Sequence, residues 1–208
     1  MAGGLAREKG DMSDTKKELI VVGGPNGSRK TTFIEQVLRE RDIPYIGADA
    51  IAAGMAEGGD VAPFQVAAGR EFLRRIDEHL NNGDTIVVES TLSGKTFARQ
   101  IEVARVLGYR IATRFVFLDD PSTNVARVRQ RVRKGGHDVP EADIRRRFVR
   151  SLANFWRLYR PISDSWMLRY NANVGFEEVA YGDADGLTVL DESLFDLFFE
   201  LAEVERDE

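Results

Sequence analysis

The stretch from Leu19 to Phe33, LIVVGGPNGSRKTTF, sets glycines, a lysine and two threonines at spacings that suit phosphate chemistry. In such a glycine-rich turn successive backbone N–H groups point inward and cradle phosphate oxygens. Lys30 would reach the outer phosphates of a nucleotide, the Thr31 hydroxyl would hold Mg2+, and a helix starting there would add a favourable dipole. Gly24, Pro25, Asn26, Gly27, Ser28, Arg29, Lys30, Thr31 and Thr32 are therefore the candidate nucleotide-binding residues. The spacing fits G-x-x-x-x-G-K-[ST] at every point but one: Arg29 stands where the second glycine belongs. A side chain there either turns outward and leaves binding weakened, or enters the phosphate site and abolishes it.

Carboxylates recur at the ends of apolar runs. Asp49 closes Ile43–Asp49, Glu89 closes Thr85–Glu89, and Asp119 and Asp120 follow Tyr109–Leu118. In open α/β sheets the C-terminal ends of strands face the ligand crevice, which makes such acids candidates for chemistry. Asp49 has a second reading, as the N-cap of the alanine-rich helix that follows it.

Arginines gather in one place. Arg127 to Arg150 carries nine basic residues against three acidic ones, a local +6 in a chain of formal charge −5, so the remainder holds −11. The segment is broken by Gly135-Gly-His-Asp-Val-Pro140. Helix, glycine hinge and helix with arginines on both arms describes a mobile lid over phosphates, at about 131–150, since the guanidinium fork suits phosphate and closure excludes water. A solvated charged hairpin is the plainer reading of the same residues.

The rest of the chain must position these groups. A strand over 18–22, apolar throughout, fits a parallel sheet buried on both faces. It is followed by a helix over 30–41, with Phe33, Ile34, Val37 and Leu38 inward. A strand over 43–49 and an amphipathic helix over 64–80 come next, with His79 on its polar side. Then come a strand over 85–89, a helix over 95–107 closed by Gly108, and a strand over 109–118. Helices over 121–134 and 141–159 flank the hinge. A strand over 165–170, a hairpin of 176–181 with 187–190, and a helix over 193–204 complete the chain. This alternation predicts an α/β fold: three layers about a parallel central sheet, with a helical arginine-rich lid. The 208 residues suit a loose tail, 1–17, and one domain, 18–208. The absence of cysteine excludes disulfides and thiolate chemistry, and a count of two histidines argues against a histidine-built zinc site. With no membrane-length apolar run and no signal-peptide core, the expected setting is the cytoplasm.

Four stretches together resemble the zeta toxin family of phosphate-loop kinases: GGPNGSRKTTF (23–33), YIGADAIA (45–52), VVESTLSG (87–94) and RVRKGGHDVPEADIRRRFVRSLANF (131–155). The resemblance covers about Leu19 to Asn173. It implies transfer of a phosphoryl group from ATP, with Mg2+, to a hydroxyl of a UDP-activated amino sugar such as UDP-N-acetylglucosamine. On this resemblance Lys30 binds the β- and γ-phosphates, Thr31 helps hold the metal, and Asp49 takes the hydroxyl proton. Glu89 and Thr91 would contact the acceptor sugar, Arg131, Arg146 and Arg147 would clamp the γ-phosphate, and Asn154 would steady the lid. A protein antitoxin is the implied partner.

Two departures accompany it. Arg29 is one. The other is Tyr170-Asn171-Ala172-Asn173, where the family tends to carry Tyr-Asp-Asn-Ser, so a carboxylate is lost. These leave open a second function, a non-catalytic nucleotide-site protein that binds an antitoxin. A third, a kinase of nucleic-acid ends, is disfavoured because no aromatic platform interleaves the arginines.

Overall fold

The computed structural model describes residues 17–39, 42–119, 122, 141–172 and 175–206, with the side chains at 37 and 143 outside that set. The expected tail, the first lid helix with Arg131, and the glycine hinge therefore lie outside the described residues, apart from Lys17 and Ser122.

One sheet organises the described chain. β1 (Glu18–Gly23) lies between β3 (Ile86–Ser90) and β4 (Arg110–Phe117), parallel to both. β2 (Tyr45–Gly47) pairs in parallel outside β3, and β5 (Ser165–Ala172) does so outside β4. β6 (Gly175–Asp183) and β7 (Gly186–Val189) then run antiparallel, completing the order β2-β3-β1-β4-β5-β6-β7. The centre of the sheet is parallel as expected, and the expected hairpin, β6 with β7, joins its edge antiparallel. The connection decides it: two residues separate β5 from β6, and a parallel neighbour needs a crossover of a dozen or more.

The layers follow from handedness. The chain steps outward from β1 to β2 through α1 (Lys30–Leu38), then returns across the sheet in the opposite direction. Right-handed crossovers put helices of opposite travel on opposite faces. Among the described helices α1 alone packs on one face, where Phe33 and Ile34 meet Ile20, Val22, Val87 and Ala112, with Leu38 partly buried against them. The other face holds α2 (Ala48–Ala56), α3 (Gln65–Asn82), α4 (Ala98–Val106), α5 (Glu141–Asn154) and α6 (Glu192–Ala202) over the larger core. Three layers result, as predicted.

Several boundaries differ, each for a local reason. The second strand stops at Gly47 and Asp49 falls in the first turn of α2, whose N-cap is Gly47; no side chain caps it. The capping reading of Asp49 is therefore wrong. Residues 95–97 form turns with i→i+3 bonds to Ala98 and Arg99, so α4 starts three residues later than expected. The helix expected to run to Tyr159 widens after Asn154 into a π-helical turn, Phe155–Tyr159, closed by Arg160 N–H on the Phe155 carbonyl at 2.8 Å. Phe155, Trp156 and Tyr159 are all buried there.

Candidate active site

β1 delivers the glycine-rich turn to the C-terminal edge of the sheet. Gly24 adopts φ 144°, and a Cβ on it would lie 2.2 Å from the Val116 carbonyl oxygen and 2.8 Å from Ser28 Oγ. Only glycine fits between β4 and the loop. Gly27 also has positive φ, and Ser28 N–H closes the turn on the Pro25 carbonyl at 3.2 Å. Asn26 and Ser28 are buried; Thr32 is exposed.

Arg29 takes the left-handed conformation, φ 63° and ψ 30°, at the N-cap of α1. This is the backbone that a glycine supplies without strain. The loop thus keeps its path despite the substitution, and the arginine stands exposed at the loop's mouth rather than packed inside it. No side chain caps α1 and no acid occupies its first turn, so the helix start presents its N–H groups and positive dipole end to an anion.

The acid at the end of β3 binds the loop together. Lys30, 7% exposed, donates from Nζ to the Pro25 carbonyl at 3.1 Å and lies 3.7 Å from Glu89 Oε1. Glu89 Oε2 accepts from Thr31 Oγ1 at 3.3 Å and from the Tyr45 hydroxyl at 2.6 Å. The register explains the meeting, because Val22 and Gly47 both pair with Glu89 across neighbouring strands. Tyr45 is held protonated: burial, then the charge of Glu89 and its hydrogen bond, then Asp49, raise its pKa well above the ordinary phenol value. Asp49 is exposed in the first turn of α2, within electrostatic reach of that hydroxyl. Lys30, Thr31, Glu89, Tyr45 and Asp49 are thereby grouped at one end of β1, β3 and β2. Tyr45 was not expected from sequence; an aromatic opening a short strand gives no chemical signal.

The segment after Glu89 is anchored by α5. Ser151 Oγ donates to the Thr91 carbonyl, Asn154 Nδ2 to the Leu92 carbonyl at 2.9 Å, and Tyr159 to the Gly94 carbonyl at 2.6 Å. Thr91 Oγ1 lies 2.9 Å from Ser93 Oγ. Asn154, expected to steady the lid, thus fastens the 91–94 segment. Arg147 precedes Ser151 by four residues and Asn154 by seven, so it shares their helix face. Arg146 is exposed beside it. Arg131 lies outside the described residues.

Asn171 was missed as a contributor. From the end of β5 its Nδ2 donates to the Ser28 carbonyl at 3.1 Å, while Ser28 Oγ and Asn171 Oδ1 are buried with no hydrogen-bond partner among the described residues. An ionised carboxylate could not make that donation. The departure at position 171 therefore carries a bond of its own.

The oxygen donors suit a hard cation. Mg2+ takes one or two carboxylates with water and substrate phosphates, and Thr31 Oγ1 with Glu89 supplies hydroxyl and carboxylate oxygens beside the phosphate loop. Among the described residues no group of three His, Cys, Asp or Glu could hold a metal without such phosphates. Nor is any described helix long and apolar enough to cross a membrane.

Residues 19–150 match the model of the AAA domain family. An uncharacterised protein of Haemophilus influenzae is 30% identical over 133 residues, 64% of this chain and 94% of that protein. Among solved structures, the AvrRxo1-ORF1:AvrRxo1-ORF2 complex with sulphate ions gives a TM-score of 0.72 at 15% identity, over 93% of this chain. The chain spans 66% of the length of that one. The same pair solved with ATP gives 0.70 at 17% identity, over 93% of this chain and 66% of the other. The PezAT toxin–antitoxin system of Streptococcus pneumoniae gives 0.64 at 15% identity, covering 97% of this chain and 84% of the other. The phosphate-loop kinase fold expected from the resemblance to zeta toxins is thus the observed one.

Proposed function

We infer that this chain, which belongs to the AAA domain family, is a phosphotransferase of zeta toxin type that uses ATP and Mg2+ to phosphorylate a hydroxyl of a UDP-activated amino sugar such as UDP-N-acetylglucosamine. One observation carries the reading: Lys30, Thr31 and Glu89 are bonded around the loop, with Asp49 beside them at the head of α2.

The triphosphate lies over the amides of residues 24–32, with the Lys30 ammonium turned from the Pro25 carbonyl to the β- and γ-phosphates. Thr31 and Glu89 would hold Mg2+, which would supply charge neutralisation to the phosphates. Asp49, open to solvent, accepts the proton of the attacking hydroxyl. Glu89 stands where the loop meets β2, so the acceptor sugar lies against it and the Thr91 segment. Arg147 and Arg146, with Arg131, supply guanidinium groups to the transferring phosphoryl, whose charge is spread over three equatorial oxygens. A protein antitoxin is the partner, in keeping with the PezAT toxin–antitoxin system, which shares the fold.

Arg29 lowers the rate without removing the site, because it keeps the loop's path. The left-handed backbone costs a non-glycine residue about 1–2 kcal/mol. Arg29→Gly should therefore raise thermal stability and, with Mg·ATP and UDP-N-acetylglucosamine, form phosphorylated sugar nucleotide at least tenfold faster than the unchanged chain (roughly 1.4 kcal/mol in the barrier). A folded Arg29→Gly protein that hydrolyses ATP but leaves the sugar nucleotide unmodified would remove the acceptor assignment. One that neither binds nor turns over ATP would remove the kinase reading.

A further inference from the structure

Among the described residues three side chains meet Glu89, and two of them have other work. Lys30 and Thr31 turn to phosphate and metal when nucleotide binds; Tyr45 does not. Its hydroxyl, 2.6 Å from Glu89 Oε2, makes the shortest of the three contacts. Room for that hydroxyl comes from Gly47. A Cβ at position 47 would fall 2.3 Å from the Tyr45 oxygen and 2.9 Å from its Cζ. The Gly47 backbone is ordinary extended chain, φ −135°, so the glycine is needed for space and not for conformation. Gly47 is also the strand partner of Glu89, which places all three residues at one point of the sheet edge.

We propose that Tyr45 is a positioning residue for Glu89, holding its carboxylate in place once Lys30 and Thr31 have been drawn to the nucleotide, and that Gly47 is required to leave the tyrosine hydroxyl its seat. The proposal rests on the assignment of Glu89 to the metal–phosphate site. It distinguishes Tyr45, which acts through another side chain, from the groups that touch substrate. The neighbouring charges on the tyrosine hydroxyl come from Glu89 at the end of β3 and Asp49 on α2, and neither can replace the proton it donates.

The test is a double-mutant cycle read by binding, with Arg29→Gly as the common background. A non-hydrolysable ATP analogue is titrated calorimetrically with Mg2+ and again in EDTA. Tyr45→Phe should weaken the magnesium complex about tenfold, the loss expected for one hydrogen bond to a charged group, and leave metal-free binding within twofold. Gly47→Ala should reproduce that pattern by displacing the hydroxyl. In a Glu89→Gln protein, Tyr45→Phe should have no further effect, since coupled residues are non-additive. Equal weakening with and without Mg2+, or additive effects in the Glu89→Gln background, would overturn the proposal. If the cycle behaves as expected while no sugar nucleotide is phosphorylated, Tyr45 keeps its role and the acceptor reading fails by itself.

Discussion

Asp49→Asn should cut the rate of phosphoryl transfer by about 10²–10⁴, the usual contribution of a positioned base, with the fold intact and ATP-analogue affinity nearly unchanged. Asparagine has the shape of aspartate but cannot take a proton. Asp49 is exposed in the first turn of α2, so asparagine takes its place without repacking the core. The helix loses only a favourable charge at its N-terminus, about 0.3–1 kcal/mol for an exposed site. The loss should therefore fall on kcat, with the ATP KM little altered, as for an interaction made only in the transition state. Steady-state kinetics with Mg·ATP and the sugar nucleotide give the number. A kcat within twofold of the parent would mean that another group receives the proton.

The second large effect concerns stability. Phe198→Ala should destabilise the chain by about 3–5 kcal/mol, the range for a large aromatic removed from a packed core. Phe198 of α6 is fully buried and its ring lies 5.3 Å from Phe117, 6.2 Å from Phe115, 6.0 Å from Phe155 and 6.1 Å from Trp156. The cavity opens among aromatic side chains from β4, the π-helical turn and α6, none of which can collapse without moving a whole element. At about 2–4 °C per kcal/mol for a domain of this size, the melting temperature should fall roughly 6–20 °C. Calorimetry on the purified variant decides it, and a fall under 3 °C would mean that the ring cluster repacks. Phe115 pairs with Gly23 across β4 and β1, so the same cavity lies behind the strand that carries the phosphate loop.

The loop was legible because its chemistry and its geometry demand the same residues. Gly24 is fixed by the Val116 carbonyl, and Lys30 and Thr31 are set by where α1 begins. The parallel strands were legible too, being short apolar runs between helices. Pairing order was not, since nothing local in Thr85–Glu89 says that this strand sits between β1 and β2. For that reason the bonds joining Glu89 to Thr31 and Tyr45 could not be anticipated, although Glu89 itself was named. Asn171 was read as the loss of an acid, because its partner is a backbone carbonyl 143 positions away. The π-helical turn escaped because Phe155, Trp156 and Tyr159, spaced i, i+1 and i+4, fit the apolar stripe of an ordinary α-helix equally well, so nothing local marks the wider winding.

The bond from Asn171 to Ser28 bears on how the molecule is made. A ribosome emits the phosphate loop first, and the residue that braces its rear arrives only 143 positions later. A nascent chain stalled before β5 carries every loop residue and lacks the brace. For a kinase of toxin type, competence would then be withheld from any growing polypeptide that has not yet reached β5.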